Sequence, residues 1–201
     1  MCDRHHAIPA SSSHSCGCGS GSGQTLDAAT ELILPAMTLP SSQVLAIAGE
    51  EKLRQLVRRH HALLQASPIA GLFTEDPWAF AKQAEKVADF VVESCGGPPA
   101  YTAQHGGACM RTRHFPFTID EAARETWLAA LFRAMEDVDF PVEVRAEYWD
   151  WLEAFSVRMI NRRTVKAQPA RIPFVMAQLR FAGGGAEGLP CGVGMRFCPH
   201  G

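Results

Sequence analysis

The sequence predicts an all-α fold, and three observations support this prediction. Apolar residues recur at helical spacing through most of residues 44–163, no segment alternates apolar and polar residues as a strand would, and the links between the periodic segments are short. Helices joined by short links pack side by side and bury one apolar stripe each, as in a helical bundle. With 47% hydrophobic and 20% charged residues, the chain of 201 residues can bury a core.

The first two long helices end at links that contain proline. The first is predicted over 49–65 and stops before a Ser-Pro pair, because proline disfavours a helical conformation in the preceding residue. The second is predicted over 78–94 and stops before the sequence GGPP at 96–99. His60 and His61 lie on or beside the apolar stripe of the first helix. That stripe consists of Leu53, Leu56, Val57 and Leu64.

Two short helices and two further long helices follow. The first short helix is predicted over 101–105, and the second lies in the segment after it. The third long helix is predicted to begin at Thr118, because Thr118 and Glu121 have the spacing of a capping box. On the last long helix, Trp149 and Trp151 lie on different sides, so we expect one of them to be exposed.

Composition divides the chain into three parts. Residues 1–43 are rich in Ser, Gly, Cys and His, which supply too little apolar surface to offset the entropy of ordering, so we expect a disordered arm. Residues 44–165 form the predicted helical domain. Residues 166–201 contain many prolines and glycines, and we expect an irregular, weakly ordered tail.

Charge and hydropathy exclude several classes of function. The net charge of −2, from 19 basic and 21 acidic residues, provides no basic surface for nucleic acid or an anionic membrane. No run of apolar residues is long enough to cross a membrane, and none follows the first charges as in a secretory signal. The seven cysteines show no disulfide framework, so we expect reduced thiols and a cytoplasmic location.

His114 and Trp127 are the residues most suited to chemistry. His114 follows a basic run and precedes the sequence Phe-Pro-Phe, and an imidazole beside an apolar wall is a good ligand for a soft metal. Trp127 presents a large apolar surface from the next helix. Periodicity alone also allows a structural histidine that packs beside a core tryptophan.

The segment that contains both residues resembles a known family. It runs over 96–128 and reads GGPPAYTAQHGGACMRTRHFPFTIDEAARETWL, which is similar to the truncated globins and most similar to their second group. The resemblance extends over residues 44–163. It implies a two-over-two helical sandwich around haem b, in which the four long helices match the family's B, E, G and H helices.

The resemblance also implies the residues that hold the haem. His114 matches the proximal histidine, which binds the iron, and Trp127 matches a tryptophan that faces the distal pocket. The other haem contacts that the resemblance implies are Phe73 at the haem edge, Val87 on the second long helix, and Tyr101, Arg111 and Arg113 at the propionates. For the two arginines, a solvated basic face is the alternative interpretation.

The distal site departs from the family's pattern. The family places a tyrosine near the end of its B helix, and this chain has His61 there. An imidazole at this position can donate a hydrogen bond to bound dioxygen, can ligate the iron as a sixth ligand, or can point elsewhere. Gln83 falls at the distal gate and offers a second donor, because its amide carries two N–H groups.

The resemblance therefore indicates a haem globin that binds dioxygen and related diatomic gases. The sequence does not decide between ligand transport and redox chemistry, such as peroxidase or nitric oxide dioxygenase activity. Redox turnover would need an electron donor. Two donors above the iron would favour slow ligand release and hence redox or sensing chemistry. The alternatives are a haem-based sensor and a helical interaction module without a cofactor. The sequence allows a monomer or a homodimer.

Overall fold

The computed structural model describes residues 32–107 and 110–182, and it confirms the all-α prediction for them. Most of the expected arm, residues 1–31, and the end of the expected tail, residues 183–201, lie outside this part of the chain. The helices are α1 (Ser42–Ala48), α2 (Glu50–Gln65), α3 (Pro77–Ser94), α4 (Ala100–His105), α5 (Met110–Arg113), α6 (Glu121–Asp137), α7 (Val142–Met159) and α8 (Phe174–Phe181). A single 3-10 turn, Ala70–Leu72, joins α2 to α3.

The four long helices form two layers. Helices α2 and α3 pack against each other, α2 also packs on α6, and α6 packs on α7. The short α1 precedes α2 and contacts α7, and Gly49 separates the two helices with a φ of 78°, a left-handed value that glycine adopts without strain. The core between these helices includes Leu53, Leu56, Leu128, Leu131, Met135 and Tyr148, all nearly or fully buried.

Helix α6 does not begin with the predicted capping box. Its N-cap is Asp120, whose carboxylate accepts a hydrogen bond from the amide of Ala123 at 2.8 Å, so the helix begins at Glu121. The prediction of a start at Thr118 is wrong because the preceding backbone is bonded elsewhere. The amide of Ile119 donates to Asn161 Oδ1 at 2.9 Å, which ties this segment to the chain that follows α7.

Helix α8 lies in the segment that was expected to be irregular. Its rings Phe174 and Phe181 pack on Trp149, with centroid separations of 6.3 and 6.2 Å, and Trp149 Nε1 donates to the carbonyl of Ile172 at 2.7 Å. The prediction of one exposed tryptophan on α7 is therefore wrong. Trp149 and Trp151 are both buried, since the chain after α7 folds back over the outer side of that helix.

A buried ionic network holds this returning chain in place. Glu153 on α7 accepts from Arg124 Nη2 at 2.5 Å, from Arg171 Nε at 2.6 Å and from the amide of Ile172 at 3.0 Å. Arg124 also donates to Ser156 Oγ at 2.9 Å. The side chain of Glu153 is 1% exposed, so its charge depends on these partners for stabilisation.

None of the helices in residues 32–107 and 110–182 combines the length and the hydropathy of a membrane-spanning segment.

We expect Glu153→Ala to lower the free energy of unfolding by roughly 3–5 kcal/mol, because it leaves the buried Arg124 without its carboxylate. Urea denaturation followed by far-UV circular dichroism measures this change. Glu51→Ala is the control, since Glu51 pairs with Arg58 at the surface with a side chain that is 78% exposed. The control should lose less than about 1 kcal/mol. Equal losses in the two variants would contradict a stabilising role for the network.

Candidate functional site

A cavity of about 850 Å³ lies between α2, α3 and α6, with further walls from α4, α5 and α7. Pockets for cofactors and other small molecules typically measure ~300–1,000 Å³. Every site residue named from the sequence except Arg111 lines this cavity, namely His61, Phe73, Gln83, Val87, Tyr101, Arg113, His114 and Trp127. The fold therefore brings together residues from α2 to α6, with three helices between His61 and Trp127 in the chain.

His114 presents an unprotonated nitrogen. It follows α5 directly, and its Nδ1 lies 2.7 Å from the carbonyl oxygen of Met110, one helical turn earlier. A carbonyl only accepts, so Nδ1 carries the proton and donates it, and in the neutral ring Nε2 keeps its lone pair. Asn161 donates to the carbonyls of His114 and Phe117 at 2.9 and 2.8 Å and holds the backbone around the imidazole. This is the arrangement that a metal-binding histidine needs.

His61, on α2, is fixed in the same way. Its Nδ1 lies 2.8 Å from the carbonyl oxygen of Val57, so Nδ1 donates and Nε2 is left with a lone pair. Burial lowers the pKa of His61 and keeps the ring neutral. The rings of Phe73 and Phe80 meet it edge-on, with centroids 6.3 and 6.1 Å away. A neutral His61 in this orientation has no second N–H to donate from Nε2.

His60 is a site residue to which sequence reasoning assigned no role. It lines the cavity, its Nε2 lies 3.0 Å from the carbonyl oxygen of Trp127, and the two ring centroids are 4.6 Å apart. His60 therefore joins α2 to α6 at the tryptophan. The signal that could have found it is its place four residues after Leu56, on the apolar stripe of the helix.

Trp127 and Gln83 each bring a free hydrogen-bond donor to the cavity. Among the described residues, neither the indole N–H of Trp127 nor the amide of Gln83 makes a hydrogen bond with protein, and both side chains line the cavity. Gln83 belongs to α3 and Trp127 to α6, so the donors come from different layers of the fold. They can donate to a ligand that carries partial negative charge.

Arg113 is directed to the cavity and Arg111 is not. Arg113 Nη2 donates to the carbonyl of His105 at 2.7 Å, its guanidinium lies 5.9 Å from the ring centre of Tyr101, and its buried Nε has no partner among the described residues. Arg111 instead donates to the carbonyl of Arg158 at 2.5 Å, at the end of α7. Arg111 is therefore absent from the cavity lining, because a helix end offers unpaired carbonyls to a nearby cation, and its contact with a propionate stays a prediction.

Comparison with known proteins agrees with this geometry. The family model of the bacterial-like globins matches residues 45–161. The chain belongs to this family. The globin is 33% identical over 115 residues to the group 2 truncated hemoglobin YjbI of Bacillus subtilis (strain 168), over 57% of this chain and 85% of that protein. This match confirms the sequence-based identification of a truncated globin similar to group II, a family that binds haem and diatomic gases.

Solved structures share the same fold. A crystal structure of phosphate-bound Hell's gate globin IV is 48% identical, with a TM-score of 0.72, over 75% of this globin and 94% of that chain. A truncated oxygen-avid haemoglobin from Bacillus subtilis is 32% identical, with a TM-score of 0.55, over 59% of this globin and 98% of that chain. The two-over-two sandwich expected from the sequence is therefore confirmed.

The buried state of His60 predicts a pH dependence. Desolvation lowers the pKa of His60 to about 3, from an ordinary value near 6.5. The unfolded chain therefore binds this proton before the folded one does. We expect the free energy of unfolding of the apoprotein to decrease as the pH falls from about 6.5 towards 3, by up to ~1.4 kcal/mol per pH unit for this residue.

Urea denaturation of the apoprotein at several pH values measures that slope. His60→Gln is the control, because its amide can still donate to the carbonyl of Trp127 but does not titrate. Its stability should depend less steeply on pH than that of the wild type. Identical slopes in the two proteins would contradict the assignment.

Proposed function

We propose that this globin binds haem b in the cavity and holds the iron through Nε2 of His114. The observation that carries the proposal is the hydrogen bond from Nδ1 of His114 to the carbonyl of Met110, since it directs the proton away from the nitrogen that would bind the metal. The cavity volume and its largely apolar side chains fit a flat macrocycle. The cofactor-free interaction module is disfavoured, because empty volume in a core lowers stability.

We propose that Arg113 and Tyr101 bind the haem propionates. The unpartnered, buried Nε of Arg113 supports this role, since a carboxylate would supply the acceptor that the protein does not. The hydroxyl of Tyr101 is 3.7 Å from the thioether of Met110, a weak acceptor that a carboxylate would replace. Phe73 and Val87 would contact the macrocycle from the turn before α3 and from α3 itself.

Bound ferrous haem supplies a coordination site for dioxygen and related diatomic gases. Trp127 and Gln83 are the residues that would stabilise such a ligand, by donating from the indole and the amide in a space of low dielectric. The Bacillus subtilis structure is that of an oxygen-avid protein. Two donors support tight binding and slow release by this globin as well, which favours redox or sensing chemistry over bulk transport.

We propose that His61 acts as an internal sixth ligand rather than as a donor. Its hydrogen bond to Val57 and its lowered pKa both leave Nε2 unprotonated, and an unprotonated nitrogen binds a metal but cannot donate. Chemistry on nitric oxide or peroxide would then begin with displacement of His61, and turnover would draw on an electron donor. We expect the protein in the cytoplasm, as a monomer or a homodimer, where the buried free thiol of Cys95 stays reduced.

His114→Gly should lose haem, because it removes the ring nitrogen that is proposed to bind the iron. The measurement is haem titration of the purified variant by absorbance, with wild type in parallel. Added imidazole should restore the absorbance, since it supplies the missing ligand in the space that the side chain leaves. If the variant retains the wild-type ligand spectrum without imidazole, His114 does not bind the iron.

His61→Leu should convert the ferrous protein from a low-spin to a high-spin spectrum and raise the association rate of carbon monoxide several-fold, because no side chain then competes with the gas. Gln83→Leu is the control, which removes a donor and should keep the low-spin spectrum. A wild-type ferrous protein that is already high-spin would contradict ligation by His61. If the wild type is high-spin and His61→Leu releases dioxygen faster than the wild type does, His61 is instead a hydrogen-bond donor to the bound gas.

A further inference from the structure

A second cavity of about 360 Å³ adjoins the main one. It lies between the 3-10 turn at Ala70–Leu72 and the start of α6, and Gly71 and Ala122 form part of its exposed rim. Ile69, Leu72 and Ala123 line both cavities. These three side chains are therefore the partition between the outer cavity and the space assigned to the haem.

The partition is thin and weakly anchored. Its two larger side chains, Ile69 and Leu72, come from one short turn, and they face Ala123, which contributes only a methyl group. The backbone hydrogen bonds of the turn are all local, from Leu72 to Ile69 and from Phe73 to Ala70, each at 3.0 Å. Among the described residues, no hydrogen bond joins the turn to α6. Small movements of the turn relative to α6 therefore break no hydrogen bond between them.

The α3 side of the main cavity differs in chemistry from this partition. There the lining includes the charged residues Lys82, Glu85, Lys86 and Asp89, together with Arg113. Diatomic gases carry no net charge and are poorly solvated by water, so they partition into apolar space. The outer cavity also has Thr118, Asp120 and Thr126 in its lining, but the three side chains that it shares with the main cavity are all apolar. An apolar partition suits such a molecule better than a charged rim does.

We infer that diatomic gases reach the haem cavity through the outer cavity, passing between Ile69 and Leu72 on one side and Ala123 on the other. The inference rests on the proposed haem binding, because it concerns the route to that site. It makes Ile69, Leu72 and Ala123 residues that control the rate of ligand exchange without contributing hydrogen bonds to the bound gas.

A passage has a kinetic signature that a binding contact does not have. Narrowing it raises the same barrier for entry and for exit, so the association and dissociation rate constants fall by the same factor. Their ratio, the Kd, and the absorption spectrum of the bound form stay unchanged. A change in the haem cavity itself would alter the Kd or the spectrum.

Two substitutions fill the outer cavity from opposite walls. Gly71→Trp has room, because a Cβ atom at Gly71 meets no other atom within 4 Å, and Ala122→Trp extends from the exposed side of α6. Neither position lines the haem cavity. Ala146→Trp, at an exposed position on α7, is the matched control. Leu72→Ala trims the partition and tests the opposite direction.

The experiment is flash photolysis and ligand replacement with carbon monoxide on the haem-loaded proteins. We expect both rate constants to fall several-fold in Gly71→Trp and Ala122→Trp, to rise together in Leu72→Ala, and to keep their wild-type values in Ala146→Trp. Unchanged rates in both plugged variants, or an altered Kd in them, would overturn the passage while leaving haem binding intact. A wild-type protein without a haem spectrum would instead refute the proposed function.

Discussion

The orientation of two imidazoles relative to their own helices is the constraint on which the site depends. His61 and His114 each donate from Nδ1 to the carbonyl four residues earlier, at 2.8 and 2.7 Å. In each case the bond settles which nitrogen of the neutral ring carries the proton, and the other nitrogen keeps a lone pair that a metal ion could bind. The same local hydrogen bond thus orients one imidazole on α2 and one after α5, in two separate walls of one cavity.

Hydrogen bonds between residues that are distant in the chain hold the segments that carry these rings. Asn161, beyond the end of α7, donates to the carbonyl of His114 and accepts from the amide of Ile119, so one side chain joins the segment around His114 to the start of α6. On the other side, His60 bonds to the backbone of Trp127. The cavity is therefore bordered by residues whose positions depend on α2, α6 and the end of α7 together.

The chain after α7 also stabilises α6 and α7, from the outer side of the fold. Glu153 binds Arg124 on α6 and Arg171 in the returning segment, and helix α8 then covers Trp149. Arg124 also lines the main cavity, three residues before Trp127 on the same helix. A single buried carboxylate thus links the segment that leads into α8 to the helix that carries Trp127. This link accounts for a folded segment beyond residues 45–161, the part of the chain that the family model matches.

Sequence patterns predicted the long helices to within a few residues, and the resemblance to the truncated globins supplied most of the residues that meet at the cavity. Helical periodicity and proline-containing links act within one or two turns, so they are readable in the chain. Contacts between distant residues decided the rest. Asp120 rather than Thr118 caps α6 because Asn161 binds the backbone before it, and Arg111 turns to α7 because unpaired carbonyls lie there. The protonation of His61, and with it the choice between donor and ligand, follows from a ring direction that only the packed helices establish.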